Sequence, residues 1–220
     1  MDWEAKLAGA HTEHAARSEQ PAGPGERDDL RLAGIAGASW AAGLAAAMLG
    51  RDGEARALLR RAADEYVVSW EAAPPGSWGR PIAALRCLLM AGADARPVAE
   101  RALAAGAARA EGAIAAYCAA LALLVLDRDA EALPVAEGLR GRDDFQPGAV
   151  ADALAALAGG DGAAYGSATG GVLRSFEERD AFLEDVRVAD TVLVLDALAR
   201  ARSLDVPPRR SPLLPPGPPA

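Results

Sequence analysis

Apolar residues recur along this chain at the three-to-four residue spacing of amphipathic helices, and hardly anywhere with the alternation of a strand. The clearest case is Glu54 to Trp70. There Ala55, Leu58, Leu59, Ala62, Tyr66 and Trp70 form one stripe, and Arg56, Arg60, Arg61 and Asp64 take the opposite face. The same spacing predicts helices over 2–19, 30–49, 82–90, 95–108, 111–126, about 130–141, 148–158, 163–178 and 185–202. The VLVL run at 192–195 has strand character, but a lone short strand in a helical chain has nothing to pair with, so it is assigned to the last helix. The predicted fold class is all-α.

Four of these helices end in a similar way. AAAMLGRDGEARALL (Ala45 to Leu59), LLMAGADARPVA, LLVLDRDAEALPVA and LAALAGGDGAAYGSA each join an apolar helix end to a new helix through a short turn closed by an aspartate. Glycine suits the residue just past a helix because it tolerates positive φ, and aspartate suits an N-cap because it accepts backbone N–H bonds. The aspartates are Asp52, Asp94, Asp129 and Asp161, at intervals of 42, 35 and 32 residues. That spacing resembles the tetratricopeptide repeat of about 34 residues, without the Trp, Gly, Tyr and Pro positions of that family. The expected architecture is a stack of antiparallel helix hairpins in a tetratricopeptide-like α-solenoid.

Three segments follow: a loosely attached N-terminal helix with its breaker-rich linker (1–26), the helical-repeat domain (27–205), and an extended Pro-rich tail (206–220) that holds seven prolines. In Leu30 to Leu49, Gly34, Gly37 and Gly43 are expected to let neighbouring helices approach closely. The longest apolar run, Ile114 to Leu126, is shorter than the ~20 residues a bilayer requires. The chain therefore reads as cytoplasmic, with no membrane partner.

Composition narrows the function more than it defines it. Hydrophobic residues make up 51% of the 220, aromatics only 5%, and the net charge is −8. An acidic chain whose basic residues are interleaved with acids is a poor ligand for phosphate backbones, so nucleic acid is not expected as a partner. Cys87 and Cys118 lie in apolar helical stretches and read as buried, reduced thiols.

Catalytic signatures are scarce. His11 and His14 lack the HExxH spacing of zinc peptidases, and no metal or cofactor is expected. Ser167 and Ser175 have no histidine partner nearby in sequence. Glu177, Glu178, Asp180, Glu184 and Asp185 offer carboxylates for acid–base work, but their place between two helices reads as solvated surface. Asp196 and Arg200 form an i, i+4 pair, and Asp190 is expected beside Arg187. The segment APPGSWGRP (Ala73 to Pro81) offers Trp78 and Arg80, either as a recognition loop or as a connector whose Trp fills a gap.

In the C-terminal third, Gly160, Asp161, Tyr165 and the closing Ser211 to Pro215 resemble a layout found in helical proteins of high-GC bacteria. Over residues 150–215 it is similar to the Imm49 immunity proteins. That resemblance implies binding and neutralisation of a secreted toxin and carries over no catalytic residues. The expected function is a non-enzymatic protein-interaction module that uses the concave face of the repeat toward another, basic protein, as a monomer or homodimer. The alternative is a small-molecule enzyme or ligand-binding protein of secondary metabolism. Its pocket would lie between helices near Trp78, Arg80, Tyr117 and Asp190.

Overall fold

A computed structural model describes residues 1–20 and 27–216. Most of the expected linker, 21–26, and the end of the tail, 217–220, lie outside the described residues. Among the described residues the protein is all-helical: α1 (Trp3–Glu19), α2 (Asp28–Met48), α3 (Asp52–Ala72), α4 (Gly79–Ala91), α5 (Arg96–Ala104), α6 (Ala113–Val125), α7 (Asp129–Leu139), α8 (Ala149–Gly159), α9 (Gly162–Glu177) and α10 (Asp190–Ala201), with two short 3₁₀ turns.

The four hinges share one hydrogen-bond pattern. Within two residues of the ends of α2, α4, α6 and α8 stand Gly50, Gly92, Asp127 and Gly160, with φ of 71°, 61°, 58° and 67°. At each, the next N–H bonds back to a carbonyl five residues earlier: Arg51 to Ala46, Ala93 to Leu88, Arg128 to Leu123 and Asp161 to Ala156, all at 2.9 Å. This is the Schellman closure, which satisfies carbonyls the helix end leaves open. The aspartates behave less uniformly than expected. Asp161 is a true N-cap and accepts from Ala164 N at 2.9 Å. Asp94 accepts from Arg96 N. Asp52 and Asp129 lie inside the first turn and make no cap bond, because the residue before each already occupies the cap position.

The chain divides into two compact units. The first comprises Met1–Ala93, Asp180–Val188 and Ser211–Ala220. In it α1 packs on α2, α2 on α3 and α3 on α4. Helix α2 is its core: everything from Ile35 to Ala46 is buried, Trp40 included. By length and composition α2 would also pass for a membrane span. Of its most apolar 18-residue window, 67% is buried inside the protein. Helix α1 is anchored rather than loose. Leu7 and Ala10 are buried, and Glu4 pairs with Arg51.

The second unit holds Asp94–Arg179 and Ala189–Arg210. There α6, buried along most of its length, contacts α5, α7 and α8. Helices α8 and α9 pack where a methyl group at Gly171 would lie 3.1 Å from the Ala149 Cβ, so that glycine sets a close approach. Both cysteines are buried, Cys87 in the first unit and Cys118 in the second.

Candidate functional site

The last helix begins later than its periodicity suggests. Its first residue is Asp190, not Asp185, and the preceding segment turns through a 3₁₀ step at Leu183–Asp185. Glu184 and Asp185 have φ of 50° and 51°. Two consecutive non-glycine residues in the left-handed region cost on the order of 1–2 kcal/mol each, so other contacts must hold them there.

Those contacts come from α1 and α2. The Lys6 ammonium donates to the Glu184 carbonyl. Arg17 donates through Nη1 to the Gly34 carbonyl at 2.6 Å and through Nε to Glu13 Oε1 at 2.8 Å, and its Nη1 lies 3.6 Å from Glu184 Oε1. Two of the α2 glycines make room for these groups. A methyl at Gly34 would sit 3.2 Å from Arg17 Nη1, and one at Gly37 would sit 3.1 Å from Glu184 Oε1. Helix–helix contact, expected of Gly34, Gly37 and Gly43 alike, is not what the first two provide. Only Gly43 plays that part, against Leu59.

Around these side chains is a hollow of about 330 Å³ lined by Lys6, Gly9, Ala10, Glu13, Arg17, Ala38, Ala41, Glu184 and Asp185. Its floor is small and apolar and its rim carries charges of both signs. Leu183 stands beside it, 68% exposed. On the inner side of Gly37, the Tyr66 hydroxyl is pushed well above its ordinary pKa, chiefly by burial and next by Cys87, with Glu184 adding a smaller push in the same direction. Tyr66 therefore acts as a neutral donor or acceptor.

The residues singled out from sequence fall elsewhere. Trp78 is half-buried at the start of α4. Arg80, in the first turn of α4, donates from Nε to Ser69 Oγ at 3.0 Å and approaches Asp29 Oδ2 at 3.5 Å. Asp29 is buried and also takes a two-pronged contact from Arg27 at 3.0 and 2.9 Å. The Arg80 charge thus answers a buried carboxylate. Tyr117, on α6, packs its ring 5.5 Å from that of Phe145. Asp190 is buried at the start of α10, where the Thr191 hydroxyl lies 3.5 Å from its Oδ1. Trp78 and Arg80 belong to the first unit, Tyr117 and Asp190 to the second.

One further cluster has the order of a hydrolase triad. His14 Nε2 lies 2.8 Å from Glu65 Oε1, and Ser18 Oγ lies 3.5 Å from His14 Nδ1. Arg61 Nη2, however, is 3.1 Å from the same Nδ1 and competes for the lone pair a nucleophilic serine needs. The distance to Ser18 is at the outer limit of a hydrogen bond. The arrangement ties α1 to α3 through His14, while His11 is exposed. Among the described residues, no group of three or more His, Cys, Asp or Glu is placed to hold a metal ion.

Glu184 and Asp185 were visible in the sequence only as part of an acidic run, and Lys6 and Arg17 as ordinary polar residues of α1. The usable signal was the pair Gly34 and Gly37 on an otherwise apolar helix. Compared with known proteins, the chain matches no family model, no curated protein and no solved structure.

Proposed function

We propose that this protein is a non-enzymatic interaction module that binds another, basic protein, in the manner of an immunity protein neutralising a toxin. The observation that carries the reading is Leu183, 68% exposed on a strained turn and followed by Glu184 and Asp185. A large apolar side chain held out among carboxylates is the composition of an interface centre, an anchor within a polar rim. Strain that the surrounding contacts have to hold in place points to a role for that turn beyond folding. The net charge of −8 favours a basic partner and raises its rate of encounter.

The architecture we attach to this reading is a tetratricopeptide-like stack of hairpins closed by an extended Pro-rich tail. Its support is the recurrence of one Schellman hinge at Gly50, Gly92, Asp127 and Gly160. Stacked hairpins offer extended concave surfaces for partners.

The test is co-expression with the protein encoded by the adjacent gene. Protection of the host cell and a stable complex on size-exclusion chromatography are expected, with Leu183→Asp weakening the complex at least about tenfold. Absence of a complex, or one indifferent to Leu183→Asp, overturns the proposal.

A further inference from the structure

The hollow between α1 and the 183–185 turn has the features of a built receptor for something small. Its charged walls are seated deliberately: Arg17 over Gly34, Glu184 over Gly37, and the turn held by Lys6. A methyl group at either glycine would intrude on the charged side chain beside it. Gly9 has open space where a side chain would stand, so the hollow extends over α1 itself.

Capacity for hydrogen bonding is left over on both sides of the charge balance. Arg17 uses Nε and Nη1 for its contacts to Glu13 and Gly34, and Lys6 uses one donor for the Glu184 carbonyl. Glu13 is engaged through Oε1, and among the described residues the Asp185 carboxylate makes no hydrogen bond or ion pair. An anion alone would meet three carboxylates, and a cation alone would meet Lys6 and Arg17. A molecule that carries both charges satisfies both sets. The volume, about 330 Å³, equals roughly ten waters at ~30 Å³ each, which accommodates a single amino acid with part of its hydration.

We propose that this hollow binds a small zwitterion of the α-amino-acid class, with its carboxylate toward Lys6 and Arg17 and its ammonium toward Asp185 and Glu13. This goes beyond the protein-partner reading, and neither depends on the other.

The experiment is an amide NMR titration of the full chain with glycine, L-alanine, L-arginine and L-glutamate, with acetate and methylammonium as single-charge controls at matched ionic strength. At least one amino acid is expected to give saturable shifts at Gly9, Ala10 and Ala41 with Kd near or below about 1 mM. The two controls should bind at least tenfold more weakly. Asp185→Asn and Arg17→Met should each weaken binding at least fivefold, and Arg56→Ala, an exposed change on α3 outside the lining of the hollow, should leave it unchanged. Should Arg17→Met fail to fold, Gly34→Ala serves in its place, because its methyl would lie 3.2 Å from Arg17 Nη1 and disturb that seat while keeping the helix. No saturable shift with any of the four amino acids overturns the proposal. So does a control that binds equally well, or a set of variants that binds like the native chain.

Discussion

Arg209 reaches back from the Pro-rich tail to Asp196 on α10, with Nη1 at 2.8 and 3.0 Å from its two carboxylate oxygens. Both side chains are only 10% exposed. Asp196 also accepts from the buried Tyr165 hydroxyl at 2.5 Å, and Arg209 donates to the Thr169 hydroxyl. The sequence pairs Asp196 with Arg200, but Arg200 stays mostly exposed at 4.0 Å. Removing one partner of a buried pair leaves the other charge uncompensated. Arg209→Ala should therefore cost about 3 kcal/mol, read as a lower urea midpoint. A change below about 0.5 kcal/mol would mean the tail is not fastened there.

The third hinge breaks the rule of the other three. Asp127 occupies the left-handed position that Gly50, Gly92 and Gly160 fill elsewhere. Its carboxylate lies 3.0 Å from Arg96, but both side chains are more than half exposed, and such pairs contribute little. Asp127→Gly should relieve the backbone at the loss of a weak contact. The expected result is a gain of about 0.5–1 kcal/mol in thermal or urea unfolding. A loss of stability would show that the Arg96 contact outweighs the strain.

These hinges also mark what was legible. Helix existence followed from periodicity, and turn position from Gly and Asp, because both are local effects that short peptides share. The 183–190 segment was not legible. Val186 and Val188 carry enough apolar character to start the last helix at 185, while the left-handed turn at Glu184 is held by Lys6, 178 residues away. The contact made by the tail was no more legible. Its prolines say extended chain, and nothing local to Arg209 announces its contact with Asp196 and Thr169. Charged side chains that are buried by distant partners look, in sequence, like solvated ones.

Three glycines on α2 should respond to alanine with different signs. At Gly43 a methyl would lie 2.8 Å from Leu59 Cγ and 3.3 Å from the Leu59 backbone nitrogen, neither of which can move freely. Gly43→Ala should cost about 1–3 kcal/mol through overpacking. At Gly34 and Gly37 the obstruction is the end of a flexible Arg17 or Glu184 side chain. There the gain in helix propensity, about 1 kcal/mol, offsets the displacement, and stability should stay within about 1 kcal/mol of the native chain. Equal losses at all three positions would show that α2 uses every one of them for helix contact.

Alkaline pH should unfold the protein through groups that burial keeps neutral. Burial pushes the Cys118 thiol from 9.0 up to about 12. Between those values the unfolded chain releases a proton that the folded chain retains, so stability falls as pH rises. Tyr66 and Tyr165 are raised for the same leading reason and add the same sign above pH 10. Few other groups compete in this range, since Lys6 is the sole lysine. By pH 10.5 the Cys118 share should be about 2 kcal/mol, and Cys118→Ala should remove it. Urea midpoints of both proteins at pH 8 and pH 10.5 measure the difference directly. If the two lose stability equally, the thiol reaches solvent in the folded state and its burial in α6 is wrong.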